Sequence, residues 1–340
     1  MKSVLVLIAF LNCCLQIKCQ FTIPEEYHDV KDAIESDYYK ETLEHFFKDQ
    51  EIPQIPRGGR IAGGEKAIIG QFPYHALLYM SDDAGRYVCG GVLVKHNWVL
   101  TAAHCIEGFS KIEVFLGVVN RIDGPAAWRS EPITDSKNLI VHPNFEVKFL
   151  KNDIGLIFLQ DAQEDLLLHE HIDVIEIPSF DEGAQDLIGK ESILSGFGLT
   201  ENGVASKVLK YAKLQIISNE ECYATFPAYI VSSNLCTATN LRASPCQGDS
   251  GGPLTLEITP GRKIVVGLTS FGSKYGCTQS YPVGFQRVAN HLLWLDDYLS
   301  TYPDEATFIA EITTPDSSSI IFGNTLMNFL FAFIALKFVQ

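Results

Sequence analysis

The chain has 340 residues, of which 41 are acidic and 26 basic, so its net charge at neutral pH is −15. A protein that binds nucleic acid through the phosphates presents a basic face, and this balance therefore excludes nucleic acid as an expected partner. The length exceeds that of one ordinary core, and several segments have the composition of removable or linking sequence.

The first segment predicts export of the chain. Lys2 is a charged start, and residues 4–11 form an apolar run that is too short to span a membrane. We therefore interpret residues 1–19 as a secretory signal peptide. Cleavage before Gln20 would remove three of the nine cysteines, and the even number that remains favours disulfides formed in an oxidising compartment.

The next segment, residues 20–60, is acidic, lacks cysteine and ends in Arg57-Gly-Gly-Arg60. Apolar side chains at helical spacing, such as Tyr27, Ile34 and Tyr38, predict an amphipathic helix followed by a cleavable linker. A small independent domain is the alternative interpretation. A segment of about 41 residues without a cross-link would be only marginally stable by itself.

The central part of the chain, residues 61–300, has the composition of an all-β protein. Short runs rich in Val, Ile, Leu and Phe alternate with turns that contain Gly, Asn, Asp and Pro. Near its end the pattern changes, because Val288, Leu292 and Leu295 recur at helical spacing. We expect an all-β domain that finishes in one helix.

The C-terminal segments depart from this pattern. Residues 301–319 are polar and acidic, which is typical of a stalk, and residues 320–340 are mostly apolar. Small residues up to Ser319, a short spacer and an apolar end match the signal for a glycosylphosphatidylinositol (GPI) anchor. A transmembrane helix and a tail that is trimmed away are the alternatives, although Lys337 is costly in lipid.

The most informative stretch, residues 245–253, reads Pro-Cys-Gln-Gly-Asp-Ser-Gly-Gly-Pro and contains Ser250. A serine hydroxyl is a weak nucleophile until a base takes its proton. Glycines beside it allow backbone amides to approach a substrate carbonyl and stabilise a developing oxyanion. Taken alone, the stretch would equally be a glycine-rich surface turn.

Three further motifs accompany it in the chain: Arg-Ile-Ala-Gly-Gly from Arg60, Thr-Ala-Ala-His-Cys up to Cys105, and Asn-Asp-Ile-Gly-Leu-Ile around Asp153. In this order the four motifs resemble those of the trypsin and chymotrypsin family of serine proteases, over about residues 61–299. The resemblance implies two six-stranded antiparallel β-barrels packed side by side, a C-terminal helix, and an active site in the cleft between the barrels.

The resemblance also assigns catalytic roles, which sequence separation alone does not. It makes Ser250 the nucleophile and His104 the general base, with Asp153 fixing the tautomer of the His104 ring. The backbone amides of Gly248 and Ser250 would form the oxyanion hole. Outside their motifs, His104 would be interpreted as a core histidine and Asp153 as a turn residue.

Activation of a zymogen is a further implication of the resemblance. Residues 20–60 would be a propeptide, cut after Arg60 by a trypsin-like protease. The new Ile61 ammonium would then pair with Asp249, and because breaking one half of a buried ion pair costs about 3–5 kcal/mol, the pair would act as a switch. A simple turn-forming role for Asp249 is the alternative.

The six cysteines of the protease domain allow 15 pairings in principle. The resemblance selects three of them: Cys89–Cys105, Cys222–Cys236 and Cys246–Cys277. With all six cysteines used, none is left to tether the propeptide, and we expect the propeptide to leave after activation.

Four residues are expected to bind substrate. Ser244 would form the base of the specificity pocket, where a serine cannot pair with a Lys or Arg side chain, so apolar residues are favoured. Ser270 and Gly272 match the strand that pairs with substrate backbone, with Gly272 keeping the pocket mouth open. Val283 would shorten the pocket and favour Leu or Met over Trp, as in elastase. Trypsin-like specificity stays an alternative.

No metal and no cofactor are expected. Val118 occupies the position at which calcium-binding relatives have a ligating glutamate. The sequence His169-Glu170-His171 has the wrong spacing for one helical face and is interpreted as a surface loop.

The sequence therefore predicts a secreted or surface-anchored serine endopeptidase that cleaves after Leu, Phe, Met or Tyr. Its expected partners are protein or peptide substrates, an activating protease and protein inhibitors. A catalytically silent homologue that acts as a binding module is the alternative function.

Overall fold

The computed structural model describes residues 64–300, except 123–125, 161, 163–165, 167–168, 201–202, 240–243, 274–276 and 278. The predicted signal peptide, propeptide, stalk and apolar tail, as well as Arg60 and Ile61, lie outside the described residues. Within the described ranges, no helix is long and apolar enough to cross a membrane.

The N-terminal sheet is antiparallel and has seven strands. These are β2 (His75–Asp82), β3 (Gly85–Lys95), β4 (Trp98–Thr101), β5 (Lys111–Leu116), β6 (Trp128–Arg129), β7 (Leu139–Val141) and β8 (Gly155–Phe158). They are hydrogen-bonded in the order β6-β5-β2-β3-β4-β8-β7.

The C-terminal sheet is also antiparallel and has seven strands. These are β1 (Glu65–Lys66), β9 (Glu191–Gly196), β10 (Lys210–Ile217), β11 (Asn234–Thr237), β12 (Pro253–Thr259), β13 (Arg262–Phe271) and β14 (Val283–Arg287). Their order is β1-β10-β11-β14-β13-β12-β9, and β9 pairs in addition with β10. Six strands therefore close into a barrel, with the two-residue β1 as an extra strand on β10.

The predicted all-β fold with a C-terminal helix is confirmed, with a difference in strand number. The C-terminal sheet contains a closed six-stranded barrel, as predicted, and the two-residue β1 is added to it. The N-terminal sheet has seven strands instead of six, and its β6 has only two residues. Such short pairings carry too little alternation to be recognised in a sequence.

One apolar cluster joins the two sheets. It contains Leu77 and Leu156 from the N-terminal sheet and Val265 and Leu268 from the C-terminal sheet, all 2% exposed or less. Burying a side chain of this size contributes about 1.5–3 kcal/mol, so the cluster fixes one sheet against the other. A second apolar cluster fills the interior of the N-terminal sheet, and a third fills that of the C-terminal sheet.

The structure describes three α-helices in full: α1 (Phe180–Gly183), α2 (Asn219–Tyr223) and α3 (Leu292–Leu299). A 3₁₀ turn at Val288–His291 leads into α3, so the predicted helix over 288–299 is present with a tighter first turn. Leu292, Leu295 and Leu299 are its buried side chains, which agrees with their helical spacing.

Three disulfides cross-link the described chain. They join Cys89 to Cys105, Cys222 to Cys236 and Cys246 to Cys277, which are the pairs that the family resemblance implies. The first ties β3 to the 3₁₀ turn after β4, and the third ties the segment before Ser250 to the chain after β13.

Candidate active site

His104 lies in a 3₁₀ turn, Ala103–Cys105, directly after β4. The turn is held at two points. Its next residue, Cys105, is joined to Cys89 on β3, and the backbone N–H of His104 donates to Oδ1 of Asp153 at 3.0 Å. The histidine ring therefore projects from a fixed piece of backbone and stays partly accessible to solvent.

Asp153 lies two residues before the start of β8 and is completely buried. The turn before it places Leu150 and Asn152 at φ of 50° and 52°, in the left-handed region that asparagine tolerates better than most residues. Its Oδ2 atom accepts a hydrogen bond from Nδ1 of His104 at 2.8 Å. Because the carboxylate is an acceptor, Nδ1 carries the proton and Nε2 is left with a free lone pair.

Ser270, at the end of β13, contacts the same carboxylate. Its hydroxyl donates to Oδ2 of Asp153 at 2.5 Å. The sequence assigned Ser270 only to the strand that faces substrate, and this second contact was missed. No local pattern could have indicated it, since the two residues are 117 positions apart and belong to different sheets.

The electrostatics of His104 suit a general base. Burial lowers the pKa of the His104 ring, whereas the charge of Asp153 and the hydrogen bond to it raise the pKa. The net result is a pKa above the ordinary value for histidine. The Asp153 carboxylate therefore stabilises the protonated form of the His104 ring, which favours uptake of a proton from a nucleophile.

Ser250 lies in the loop that precedes β12, and this loop is bound to both sheets. The carbonyl of Ser250 accepts the N–H of Gly90 from β3 at 2.7 Å, and the N–H of Gly251 donates to Thr269 on β13 at 2.7 Å. A Cβ atom on Gly251 would lie 2.1 Å from Oγ1 of Thr101. The loop therefore packs against the strand end from which the His104 turn begins, and glycine is required at 251.

Gly248 provides the turn on the other side of Ser250. Its φ is 93°, a conformation that side-chain-bearing residues rarely adopt. A Cβ atom at this position would also come within 3.2 Å of the Cα of Gly198. The structure thus places both predicted oxyanion residues, Gly248 and Ser250, in one compact turn.

Asp249 is completely buried, and its carboxylate lies close to Gly196, at the end of β9, and to Gly198. Its two oxygens accept backbone N–H groups, Oδ1 from Gly198 at 2.7 Å and Oδ2 from Cys246 at 2.8 Å. Burial raises the pKa of Asp249 to about 6, against the opposing effects of these two hydrogen bonds and of the charge of Lys210. The expected partner, Ile61, lies outside the described residues.

A cavity of about 220 Å³ opens beside Ser250. All four residues predicted to bind substrate line it, together with several that the sequence did not single out. The lining residues are Ser244, Pro245, Cys246, Gln247, Ser250, Thr269, Ser270, Phe271, Gly272, Ser273, Cys277, Tyr281 and Val283. No charged side chain occurs among these described lining residues.

The residues that could hold a metal do not form a usable set in the described part of the chain. The one cluster of suitable type contains Cys89, His104 and Cys105. Its two cysteines are joined to each other in a disulfide and cannot act as thiolate ligands.

Comparison with known proteins gives consistent results. The family model described as "Trypsin" matches residues 61–295. The chain is 33% identical to a collagenase of Hypoderma lineatum over 70% of this chain and 87% of that protein. It is 32% identical to brachyurin of Leptuca pugilator, over 72% of this chain and 100% of that protein.

The chain is also similar to a vertebrate protein and to a solved structure. Chymotrypsin-like elastase family member 1 of Canis lupus familiaris is 29% identical, over 74% of this chain and 96% of that protein. A solved structure, "HL collagenase structure at 1.7A resolution", superposes with a TM-score of 0.61 at 31% identity and covers 70% of this chain and 97% of that chain.

The close contact between Gly198 and the Asp249 carboxylate leads to a first prediction. A Cβ atom on Gly198 would lie 2.3 Å from Oδ2 of Asp249, so Gly198→Ala must displace the carboxylate. The displaced carboxylate loses its buried hydrogen bond from the N–H of Gly198. We therefore expect the rate at which a serine-directed fluorophosphonate labels Ser250 to fall by at least about tenfold. Gly85→Ala is the control, because its Cβ atom would meet open space. Labelling of Gly198→Ala at the parent rate would contradict the prediction.

Proposed function

The chain belongs to the trypsin family of serine proteases and is a chymotrypsin-like serine endopeptidase, and we propose that it is exported as a zymogen and, once activated, cleaves peptide bonds after apolar residues. The observation that carries this proposal is the hydrogen bond between Nδ1 of His104 and the buried Asp153 carboxylate, beside a cavity lined by Ser250 and by no described charged group.

The proposed reaction follows the acyl-enzyme route of the family. Nε2 of His104 takes the hydroxyl proton as Oγ of Ser250 bonds to the substrate carbonyl carbon. The amides of Gly248 and Ser250 stabilise the oxyanion, and Asp153 stabilises the imidazolium. The C–N bond then breaks as His104 gives its proton to the departing amine. Water, deprotonated by His104, attacks the acyl group and releases Ser250.

A direct test uses the nucleophile. Ser250→Ala should keep the fold and lose turnover of peptide substrates by on the order of 10⁶-fold, because the attacking oxygen is absent. The parent should be labelled at Ser250 by a fluorophosphonate and the variant should not. Ser110→Ala, which removes an exposed hydroxyl that donates to Ser81, is the matched control. A parent that resists labelling after activation would favour the catalytically silent binding module.

The specificity proposal rests on the walls of the cavity. Ser244 is buried, and its hydroxyl lies 3.1 Å from the carbonyl oxygen of Pro245. A Lys or Arg side chain of the substrate would enter without a described carboxylate to pair with, which is costly for a buried cation. This arrangement favours apolar side chains over the trypsin-like alternative.

Val283 is proposed to limit the depth of the cavity. It is 3% exposed, and its Cγ2 atom lies 3.9 Å from the place where a Cβ atom on Gly272 would be. A branched side chain opposite the open mouth at Gly272 leaves less length for a large aromatic ring. Leu and Met are therefore the preferred substrate residues, with Phe and Tyr accepted less well.

Shortening this side chain tests the proposal. Val283→Gly removes three apolar carbon atoms from the pocket wall and should raise kcat/KM for Phe and Tyr substrates relative to Leu by at least about tenfold. Paired peptides that differ only at the cleaved residue give the ratio. Val283→Thr keeps the side-chain volume and is the matched control. An unchanged ratio in Val283→Gly would show that Val283 does not limit the pocket.

Activation is proposed to depend on Asp249. A completely buried carboxylate with two backbone donors and a pKa raised to about 6 by burial retains its charge at neutral pH at an energetic cost. An ammonium group beside it would relieve that cost. Cleavage after Arg60 would supply one at Ile61, and the Asp249 turn includes Gly248 and Ser250, so the pairing would order the oxyanion turn.

The activation step can be tested at the cleavage site. Arg60→Gln should be secreted normally and stay inactive after treatment with a trypsin-like protease, because no free amine forms at Ile61. Arg57→Gln removes the neighbouring basic residue of the same segment and should activate like the parent. Amino-terminal sequencing after treatment identifies the new terminus. Full activity of Arg60→Gln without cleavage after residue 60 would overturn the switch.

The location of the enzyme is proposed to be extracellular. Proteins of this family are typically secreted, and three disulfides suit an oxidising compartment. The anchor proposal rests on the sequence of residues 301–340 alone, where a polar stalk precedes an apolar segment. In this proposal the stalk holds the protease domain at the outer face of the plasma membrane, where protein substrates, the activating protease and protein inhibitors meet it.

A further inference from the structure

The backbone of Asp153 has an unusual hydrogen-bond partner. Because Asn152 is in the left-handed region, the chain turns sharply before Asp153, and the ladder of β8 begins only at Gly155. The N–H of Asp153 instead donates to Oε1 of Gln286 at 3.1 Å. Gln286 lies on β14 of the other sheet and is completely buried.

The carboxamide of Gln286 is fully used, and its orientation follows from its partners. Oε1 faces a backbone N–H, that of Asp153. Nε2 donates to the carbonyl of Ser233 at 2.8 Å, and this carbonyl also accepts the N–H of Arg287. A rotated amide would set a donor against a donor at Asp153 and an acceptor against an acceptor at Ser233.

His291 completes this arrangement. Its Nε2 atom lies 2.7 Å from Nε2 of Gln286. Since the amide nitrogen can only donate, His291 must accept there, which requires the neutral ring with its proton on Nδ1. A protonated His291 would present an N–H to the amide N–H₂ and would favour the rotated orientation.

The surroundings of His291 keep it neutral. Burial, together with the charge of the adjacent His142, lowers the pKa of His291 to about 4. The two imidazole rings are 4.9 Å apart, and burial also lowers the pKa of His142, whose Nδ1 accepts the N–H of Asn144. The ring of Trp294 on α3 also packs against His142, with ring centroids 5.0 Å apart. His142 is the titratable group whose charge acts on His291 among the described residues.

We propose that Gln286 is a positioning residue for the catalytic aspartate, and that neutral His291 holds the Gln286 carboxamide in the orientation which fixes the Asp153 backbone. The inference rests on the proposed function of Asp153. It adds a second hydrogen-bonded chain, His291–Gln286–Asp153, behind the proposed triad. Both residues act through Asp153, since neither lines the substrate cavity.

Loss of the Gln286 hydrogen bond should slow the chemical step more than it weakens substrate binding. Asp153 sets the tautomer and position of His104 through two hydrogen bonds. If the Asp153 backbone loses its partner, the carboxylate shifts, and small misplacements of reacting groups reduce rates strongly. Substrate contacts in the cavity stay as they are, so kcat should fall while KM changes little.

The main test is Gln286→Met, which keeps side-chain length and removes all three hydrogen bonds. We expect kcat to fall about tenfold and KM to stay within twofold of the parent. Rates are normalised to active sites titrated with a fluorophosphonate, so unfolded protein is not counted. The control is Gln215→Met on β10, whose exposed side chain donates only to Gly189.

A second readout does not require turnover. The Nδ1 proton of His104, hydrogen-bonded to Asp153, is followed by NMR in the full chain. We expect its resonance to move upfield in Gln286→Met, as the hydrogen bond lengthens, and to stay in place in Gln215→Met. A purely structural role for Gln286 would lower the thermal unfolding temperature without moving this resonance.

A second variant guards against misfolding. His291→Phe keeps an aromatic ring beside His142 and removes both ring nitrogens, including the Nε2 acceptor of the Gln286 amide. We expect the same changes, with kcat lowered about threefold. Unchanged kcat and an unmoved His104 resonance in either folded variant would overturn the inference.

Failure of the proposed function would give a different result. The activated parent itself would resist the fluorophosphonate, and the NMR measurement would still decide whether Gln286 positions Asp153.

Discussion

The candidate active site depends on one buried carboxylate, that of Asp153. The N-terminal sheet supplies this residue, yet the C-terminal sheet supplies two groups that hold it, the Ser270 hydroxyl and the Gln286 amide oxygen. A buried carboxylate is tolerated only when donors surround it, and here the donors come from both sides of the interface. Its geometry is therefore correct only when the two sheets are packed together.

The apolar cluster shared by the sheets provides that packing. Close-packed side chains such as Leu156 and Leu268 leave little freedom for one sheet to slide on the other. The loop of Ser250 reinforces this arrangement, since it hydrogen-bonds to Gly90 in one sheet and to Thr269 in the other. The same interface thus fixes the proposed nucleophile, base and aspartate, although these residues are distant in sequence.

The sequence predicted those parts of the molecule that are encoded locally. Helical spacing of Leu292, Leu295 and Leu299 predicted α3, and the recurring β-branched runs predicted an all-β fold. The four motifs identified the family and the candidate residues. Contacts across the sheet interface could not be predicted in this way. Nothing around Ser270 or Gln286 indicates that their side chains reach Asp153, because such contacts depend on how two separate sheets pack, which no local period encodes.

The closure of the C-terminal sheet has a consequence for the behaviour of the enzyme at high concentration. A sheet edge exposes unpaired N–H and C=O groups that can recruit a strand from another molecule. In the described structure, the ring of β9, β10, β11, β14, β13 and β12 has no such edge. The N-terminal sheet ends in β6 and β7, which have two and three residues. Strands this short, like the two-residue β1 at the edge of the C-terminal sheet, offer a poor template for intermolecular pairing, so the topology of the described sheets disfavours β-aggregation.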